Sequence, residues 1–278
     1  MKKMKWHKIT VFALLMLLFS YSRAEVLFNA ESNHKLFQSY GLFFDPKISL
    51  IFRGDSRQVA EFGGSGSIFE SESWGYRSQL IVHASATSNY HYLNNESTIH
   101  VETNDARVGL AWDVFIDDSQ RFAFIWTHQS GHVSDNIEDI SLIGPDLGNE
   151  IFDFRYVKDI GRQFRLGAGF RPAVISGPQM QFFGSHEFLE WYPKEVPMDP
   201  HKFTPFIAVG LEQYGLKSVS LHGHLQMGLV AGAHFGNLSP QSTRVVVGYY
   251  NGGDTRMKYF QFQNTRSEFG YFGLILEL

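Results

Sequence analysis

From Asp105 to Ile116 apolar residues occupy every second position. Ala106, Val108, Leu110, Trp112, Val114 and Ile116 alternate with a set that includes Asp105, Arg107, Gly109 and Asp113. A period of two marks one face of a β-strand. After Asp117-Asp118-Ser119-Gln120, a turn by composition, the even positions continue as Phe122, Phe124 and Trp126, then as His128 and Ser130. The same alternation marks Glu150 to Lys158, Gln163 to Arg171, Lys202 to Glu212, Lys217 to Leu229, Thr243 to Tyr250, Arg256 to Gln263 and Glu268 to Leu278. Lys47 to Arg53, Val59 to Phe69 and Trp74 to His83 carry it more weakly. The pattern predicts about 12 antiparallel strands, a number suited to a bacterial barrel.

Connection lengths separate a barrel from a soluble sandwich. Asp117–Gln120, Asp159–Arg162 and Gln213–Gly215 are short, while Gly131–Asn149, Ile175–His201 and Ala231–Ser242 are long. Outer-membrane barrels have short periplasmic turns and longer outer loops, a rhythm that a sandwich has no reason to keep. The rhythm falters at Asn251–Thr255 and Asn264–Ser267. The expected fold is therefore all-β, an antiparallel transmembrane β-barrel. The alternative is a periplasmic β-sandwich, since a soluble sheet also alternates.

Residues 1–24 read as a secretory signal: Lys2, Lys3, Lys5 and Lys8, the apolar run Ile9–Tyr21, then Ser22-Arg23-Ala24. That run is shorter than the roughly 20 residues a spanning helix needs. Residues 25–278 form the expected barrel domain. The chain has no cysteine, which excludes disulfides and thiolate metal sites. A net charge of −4 gives no sign of nucleic-acid binding. Aromatic content of 15 %, with 26 Phe and 26 Gly, suits an exported barrel.

On the lipid face of such a barrel, an imidazole and a hydroxyl need a reason to be there. With the Asp117–Gln120 turn in the periplasm, His128 and Ser130 face the outer leaflet. A serine hydroxyl becomes a useful nucleophile when an imidazole takes its proton, and the imidazole needs a third group to orient it. Glu150 shares parity with Phe152, Phe154 and Tyr156 and is the preferred orienter. Asn149 is the reserve, if a bulge reverses the strand entry. Backbone amides near Gly131 are candidates for an oxyanion. Ser134, Asp135, Glu138, Asp139 and Asp146 supply oxygen ligands of the kind calcium takes. The competing expectation ends the strand at Trp126, placing that ring in an interfacial girdle and the His-x-Ser pair in a solvated loop. His222 and His224 share the opposite face and are read as hydrogen-bonded interior residues rather than a zinc site. Arg107, Arg155, Arg165 and Arg171 with Asp105, Asp113, Asp153 and Glu212 read as a polar lumen network.

Thr127-His128-Gln129-Ser130-Gly131-His132-Val133-Ser134-Asp135 resembles the active-site stretch of the outer-membrane phospholipase A family. That resemblance implies a His-x-Ser pair on the lipid face, with Ser134 and Asp135 helping to hold calcium. The family's asparagine would fall near Leu142, and Val133 stands where the family has an arginine, so neither carries over. The lipid A 3-O-deacylase family is similar in its His-x-Ser pair and takes a glutamate from the next strand, which Glu150 matches. His128, Ser130, His132 and Asp135, with Gly248-Tyr249-Tyr250-Asn251-Gly252 and the last strand, resemble an uncharacterised family of bacterial outer-membrane proteins, a domain of unknown function. The alternation of Phe272, Leu274, Leu276 and Leu278 resembles the C-terminal signal of such proteins, which usually ends in an aromatic residue.

These residues together imply an outer-membrane lipid acyl hydrolase acting on phospholipid or lipopolysaccharide. Ser130 is the expected nucleophile, His128 the base, Glu150 or Asn149 the orienter and calcium the candidate cofactor. The alternative is a barrel without enzymatic activity, either a narrow channel or a structural surface protein.

Overall fold

The computed structural model describes residues 23–25, 47–92, 99–133, 147–161, 163–176, 183–193, 203–215, 219–231, 242–253 and 266–277. Among these residues thirteen strands form a single antiparallel sheet: β1 (Arg23–Glu25), β2 (Ile48–Arg53), β3 (Arg57–Ser73), β4 (Tyr76–Tyr92), β5 (Ile99–Asp117), β6 (Gln120–Val133), β7 (Leu147–Ile160), β8 (Phe164–Ser176), β9 (Phe183–Trp191), β10 (Thr204–Gly215), β11 (Val219–Ala231), β12 (Ser242–Gly253) and β13 (Arg266–Glu277). Each strand from β2 to β13 pairs with its neighbours in sequence, and β13 pairs back onto β2 through Tyr271↔Arg53 to Leu276↔Ile48. The result is a closed 12-strand barrel. β1 pairs with Glu70–Glu72 of β3, along an edge that β2 leaves open beyond Glu61.

The wall is inverted relative to a soluble protein. Outward positions carry Leu50, Phe52, Val108, Leu110, Trp112, Phe122, Phe124, Phe154, Leu211, Met227, Val247, Phe272 and Leu274, all exposed. Inward positions carry Glu61, Asp105, Arg107, Asp113, Arg155, Arg165, His186, Glu190, Glu212 and Arg244, all buried. An apolar exterior around a polar interior, with no free sheet edge at the seam, is the form in which strands cross a bilayer. The chain is thus a membrane barrel of the outer-membrane type.

The interior is packed by contacts that skip a strand. Arg171 on β8 bonds Glu212 on β10 at 2.7 Å, and His186 on β9 bonds Asp153 on β7 at 2.9 Å. A Cβ at the intervening Gly169 would overlap His186 Nε2, so only glycine lets that ring cross β8. One apolar interior cluster contains Tyr192, Phe206, Val230, Val246, Tyr250, Phe269 and Ile275, and a smaller one contains Ile81, Ala111, Ala123 and Ile125.

The observed strands depart from the expectation at two places, and the loop rhythm changes with them. The long connection expected over Ile175–His201 contains β9. Arg256–Gln263, expected as a strand, lies outside the described residues, and β12 pairs directly with β13, so no wall strand separates those two. With β9 in place, Gln213–Gly215 is the last part of β10 and falls at the end where β6 stops and β7 starts. β11 stops at Ala231 and β12 starts at Ser242 at the opposite end, that of Asp118-Ser119. Tight turns at Trp74-Gly75, at Asp118-Ser119 and around Gly161 still share this second end, and Asp159 N–H bonds Ser119 O at 2.8 Å to join two of them.

Candidate functional site

β6 continues to Val133, so His128 and Ser130 are wall residues. The expectation that the strand stops at Trp126 is overturned. Pairing on both sides extends it: His128 opposes Val108 and Glu150, and Ser130 opposes Ala106 and Gly148. Both side chains face outward, near the end opposite the Asp118-Ser119 turn.

Below them on the outer face of β6 and β7 runs a column of aromatic rings. Phe122 packs on Tyr156 with centroids 5.0 Å apart, and Phe124 packs on Phe154 at 5.0 Å and on Phe152 at 5.5 Å. At its foot the Tyr156 hydroxyl donates to Gln120 Oε1 at 2.7 Å, with the polar tip of the ring at the wet end of the belt. At the head of the column the pattern turns polar.

There Glu150 Oε1 lies 2.7 Å from His128 Nδ1. A carboxylate only accepts, so the ring makes this bond with a proton on Nδ1, and in the neutral ring Nε2 is the basic nitrogen. The other carboxylate oxygen, Oε2, accepts the Trp126 indole N–H at 2.7 Å. The side chains of His128 and Glu150 are 42 % and 28 % exposed, open to a ligand arriving from the bilayer. The His128 ring leans toward β7, with Cε1 3.7 Å from the place a Cβ would take on Gly148. Being glycine, the residue opposite Ser130 puts no side chain of its own beside the ring.

The expected constellation is thus assembled in part. His128, Ser130 and Glu150 share the outer face, and the His128–Glu150 contact is made. Among the described residues no hydrogen bond joins His128 to Ser130. Asn149 is corrected: it is 2 % exposed and points into the lumen. The pairing of β7 does contain an irregularity, but on the β8 side, where Glu150 and Ile151 oppose Ile175 and Ala173. Parity toward β6 is therefore kept, and Asn149 stays on the wrong face. Of the backbone amides near Gly131 expected to serve an oxyanion, that of Gly131 itself is taken up in the ladder between Asp105 and Leu147. Ser134, Asp135, Glu138, Asp139 and Asp146, the residues expected to meet calcium, lie outside the described residues. Within the described residues no group of three or more His, Asp or Glu is placed to hold a metal.

Two neighbours of the site carry no signal of their role in the alternation. The pattern reads Trp126 as a girdle ring, and the donor role of its indole shows only once Glu150 is in register. Behind the wall, His83 Nε2 approaches the Trp126 carbonyl and Thr127 Oγ1, each at 3.3 Å, crossing β5 at Gly109. A Cβ on Gly109 would overlap that carbonyl, so the crossing requires glycine.

The lumen network is as the alternation predicts. Arg155 bonds Asp153 at 3.0 Å, Arg171 bonds Asp153 at 3.1 Å, and Arg165 bonds Asp159 at 2.6 Å. His222 Nδ1 accepts the Gly253 N–H at 2.9 Å and lies 2.9 Å from the Tyr250 hydroxyl, while His224 meets the Tyr271 hydroxyl. Both imidazoles are interior hydrogen-bonding groups.

No family model matches the chain, and no curated protein matches it. Among solved structures it is similar to a KdgM porin, at 9 % identity and a TM-score of 0.44, over 83 % of this chain and 99 % of the porin. It is also similar to a KdgM porin in complex with disordered oligogalacturonate, at 10 % identity and the same TM-score of 0.44, over 83 % of this chain and 99 % of that one.

Proposed function

We propose that this barrel is an outer-membrane lipid acyl hydrolase that works on its own lipid face. The observation that carries the proposal is the 2.7 Å contact between His128 and Glu150, made outside the barrel beside Ser130. Glu150 holds the proton on Nδ1, and Nε2 takes the proton of the Ser130 hydroxyl as Oγ attacks the carbonyl carbon of a lipid ester. The imidazolium then protonates the leaving alkoxide, and an acyl-serine remains. Water, activated by the same nitrogen, releases the fatty acid and restores Ser130. The Ser130–His128 bond would close when substrate binds, as catalytic hydrogen bonds often do. Calcium, if it is used, would be held by Ser134 and Asp135 and would polarise the ester carbonyl. Taking the end with the tight turns at Trp74-Gly75, Asp118-Ser119 and Gly161 as periplasmic, Ser130 stands toward the outer leaflet, where lipopolysaccharide and phospholipid esters are the available substrates.

The test is fatty-acid release from mixed phospholipid and lipopolysaccharide micelles by the refolded protein, with calcium or with chelator. Release is expected from the wild type and is expected to vanish in Ser130→Ala and in His128→Ala, both still folded barrels. Undiminished release in both variants would overturn the proposal.

A second reading, a narrow channel, is favoured by the charged inner wall. It predicts a steady conductance across a planar bilayer that neither substitution changes.

A further inference from the structure

Glu150 has two carboxylate oxygens, and His128 uses only one. The second receives the Trp126 indole N–H at 2.7 Å. Trp126 and His128 stand two residues apart on the same face of β6, so Glu150 is gripped from two successive outward positions of the facing strand. The terminal torsion of a glutamate is soft, with broad and nearly two-fold preferences. Toward the middle of the belt its surroundings turn apolar, because the strand positions flanking Trp126 are Leu110 and Phe152. A carboxylate free to turn would also leave the imidazole free to place its proton on either nitrogen.

We propose that Trp126 is a positioning residue of this site: its indole N–H locks the Glu150 carboxylate so that Oε1 faces His128 Nδ1, and thereby keeps Nε2 unprotonated toward Ser130. The catalytic consequence rests on the hydrolase reading; the effect on the histidine does not. An interfacial girdle ring would do its work through its apolar body, with its N–H left to whatever polar group is near. Phenylalanine at 126 keeps that body and removes only the donor.

The decisive measurement is the 15N spectrum of histidine-labelled full-length protein in detergent micelles, at a pH where imidazole is neutral, with His128 assigned by its disappearance in His128→Gln. The wild type is expected to show a single Nδ1–H tautomer at His128. Trp126→Phe is expected to show a mixture in which the Nε2–H form has risen. A second signature needs no variant at position 126: the wild-type Trp126 indole proton should move when Glu150→Gln is introduced. A pure Nδ1–H tautomer in Trp126→Phe, or an indole resonance indifferent to Glu150→Gln, would overturn the proposal. If the protein releases fatty acid, kcat in Trp126→Phe should fall about tenfold with KM unchanged, a share of what a misplaced tautomer costs a serine hydrolase. A barrel that releases none would sink the hydrolase reading and leave the tautomer result to decide the role of Trp126.

Discussion

Glu150 stands where a carboxylate is expensive. On the lipid face a basic side chain costs about 2–4 kcal/mol at the midplane, with acidic ones lower. A hydrogen bond to a charged group returns about 1.5–3 kcal/mol. The bonds from Trp126 and His128 together therefore cover the cost, and Glu150 is stable there by local contacts alone. Replacing it with glutamine separates stability from chemistry. The new amide oxygen could still accept from Trp126, but the NH2 group would donate to Nδ1, driving the imidazole proton onto Nε2 and disabling the base. Glu150→Gln is expected to lower kcat by about 10²- to 10⁴-fold while leaving the thermal transition of the barrel nearly unmoved. A matching loss of stability would mean that folding, not the tautomer, had failed. At Gly148 the space is open and a methyl group fits, with His128 Cε1 at 3.7 Å. Gly148→Ala should retain activity, whereas Gly148→Leu should cover Ser130 and cut release with no change in folding. Parity in the sequence is enough to put His128, Ser130 and Glu150 on one face. It also rules against Asn149, whose candidacy depended on a bulge that the structure places on the other side of β7. The grip of Trp126 on Glu150 is not legible in the sequence, because it depends on the stagger between two strands joined by 13 intervening residues, 134–146.

At the scale of elements, β9 shows why a strand can escape the alternation. It faces inward with His186, Phe188 and Glu190 and outward with Ser185, Glu187, Leu189 and Trp191. Charge on both faces erases the contrast between them, and flanking prolines at 178, 193 and 197 give the whole stretch the look of a loop. The neighbouring strands are legible because their outer faces are almost wholly apolar. Glu187 is therefore the anomaly of β9: exposed, on the lipid side, with Ala168 and Leu211 as its strand partners. Nothing in either partner offsets its charge, so Glu187→Leu should stabilise the barrel by about 1–2 kcal/mol in lipid. Heat-modifiable migration after incubation in lipid bilayers would show it as a higher unfolding temperature, and an unchanged or lower one would mean that Glu187 is covered by something other than lipid. Behind the inward face of β9 the opposite holds, at Gly169 of β8. Gly169→Ala would drive a methyl group into the His186 ring and separate it from Asp153. A loss of about 1–3 kcal/mol is expected, as for other overpacked interiors.

For the whole molecule the two proposed readings use opposite sides of the wall, and the lumen decides how far each can be tested alone. Contacts that skip a strand, Arg57–Glu102 across β4, Arg171–Glu212 across β9 and His186–Asp153 across β8, draw inward side chains over the wall from several directions. The Arg171 and Glu212 side chains are only 11 % and 3 % exposed. Removing one partner of a buried ion pair leaves a charge without compensation, at about 3–5 kcal/mol. Removing both partners avoids that penalty for the pair and leaves space, and Asp153, which also loses Arg171, keeps Arg155 and His186. Arg171→Ala combined with Glu212→Ala should therefore fold and admit water where the wild-type side chains meet. In planar bilayers the wild type is expected to stay closed and the double variant to conduct. Fatty-acid release should be the same in both, because Ser130, His128 and Glu150 lie across the wall from the lumen. A wild type that conducts steadily, with the double variant only widening its current, would make the barrel a channel whose outer His–Glu pair serves stability. A closed wild type with intact release would assign the function to the outside of the barrel and leave the ionic interior as the packing that holds its shape.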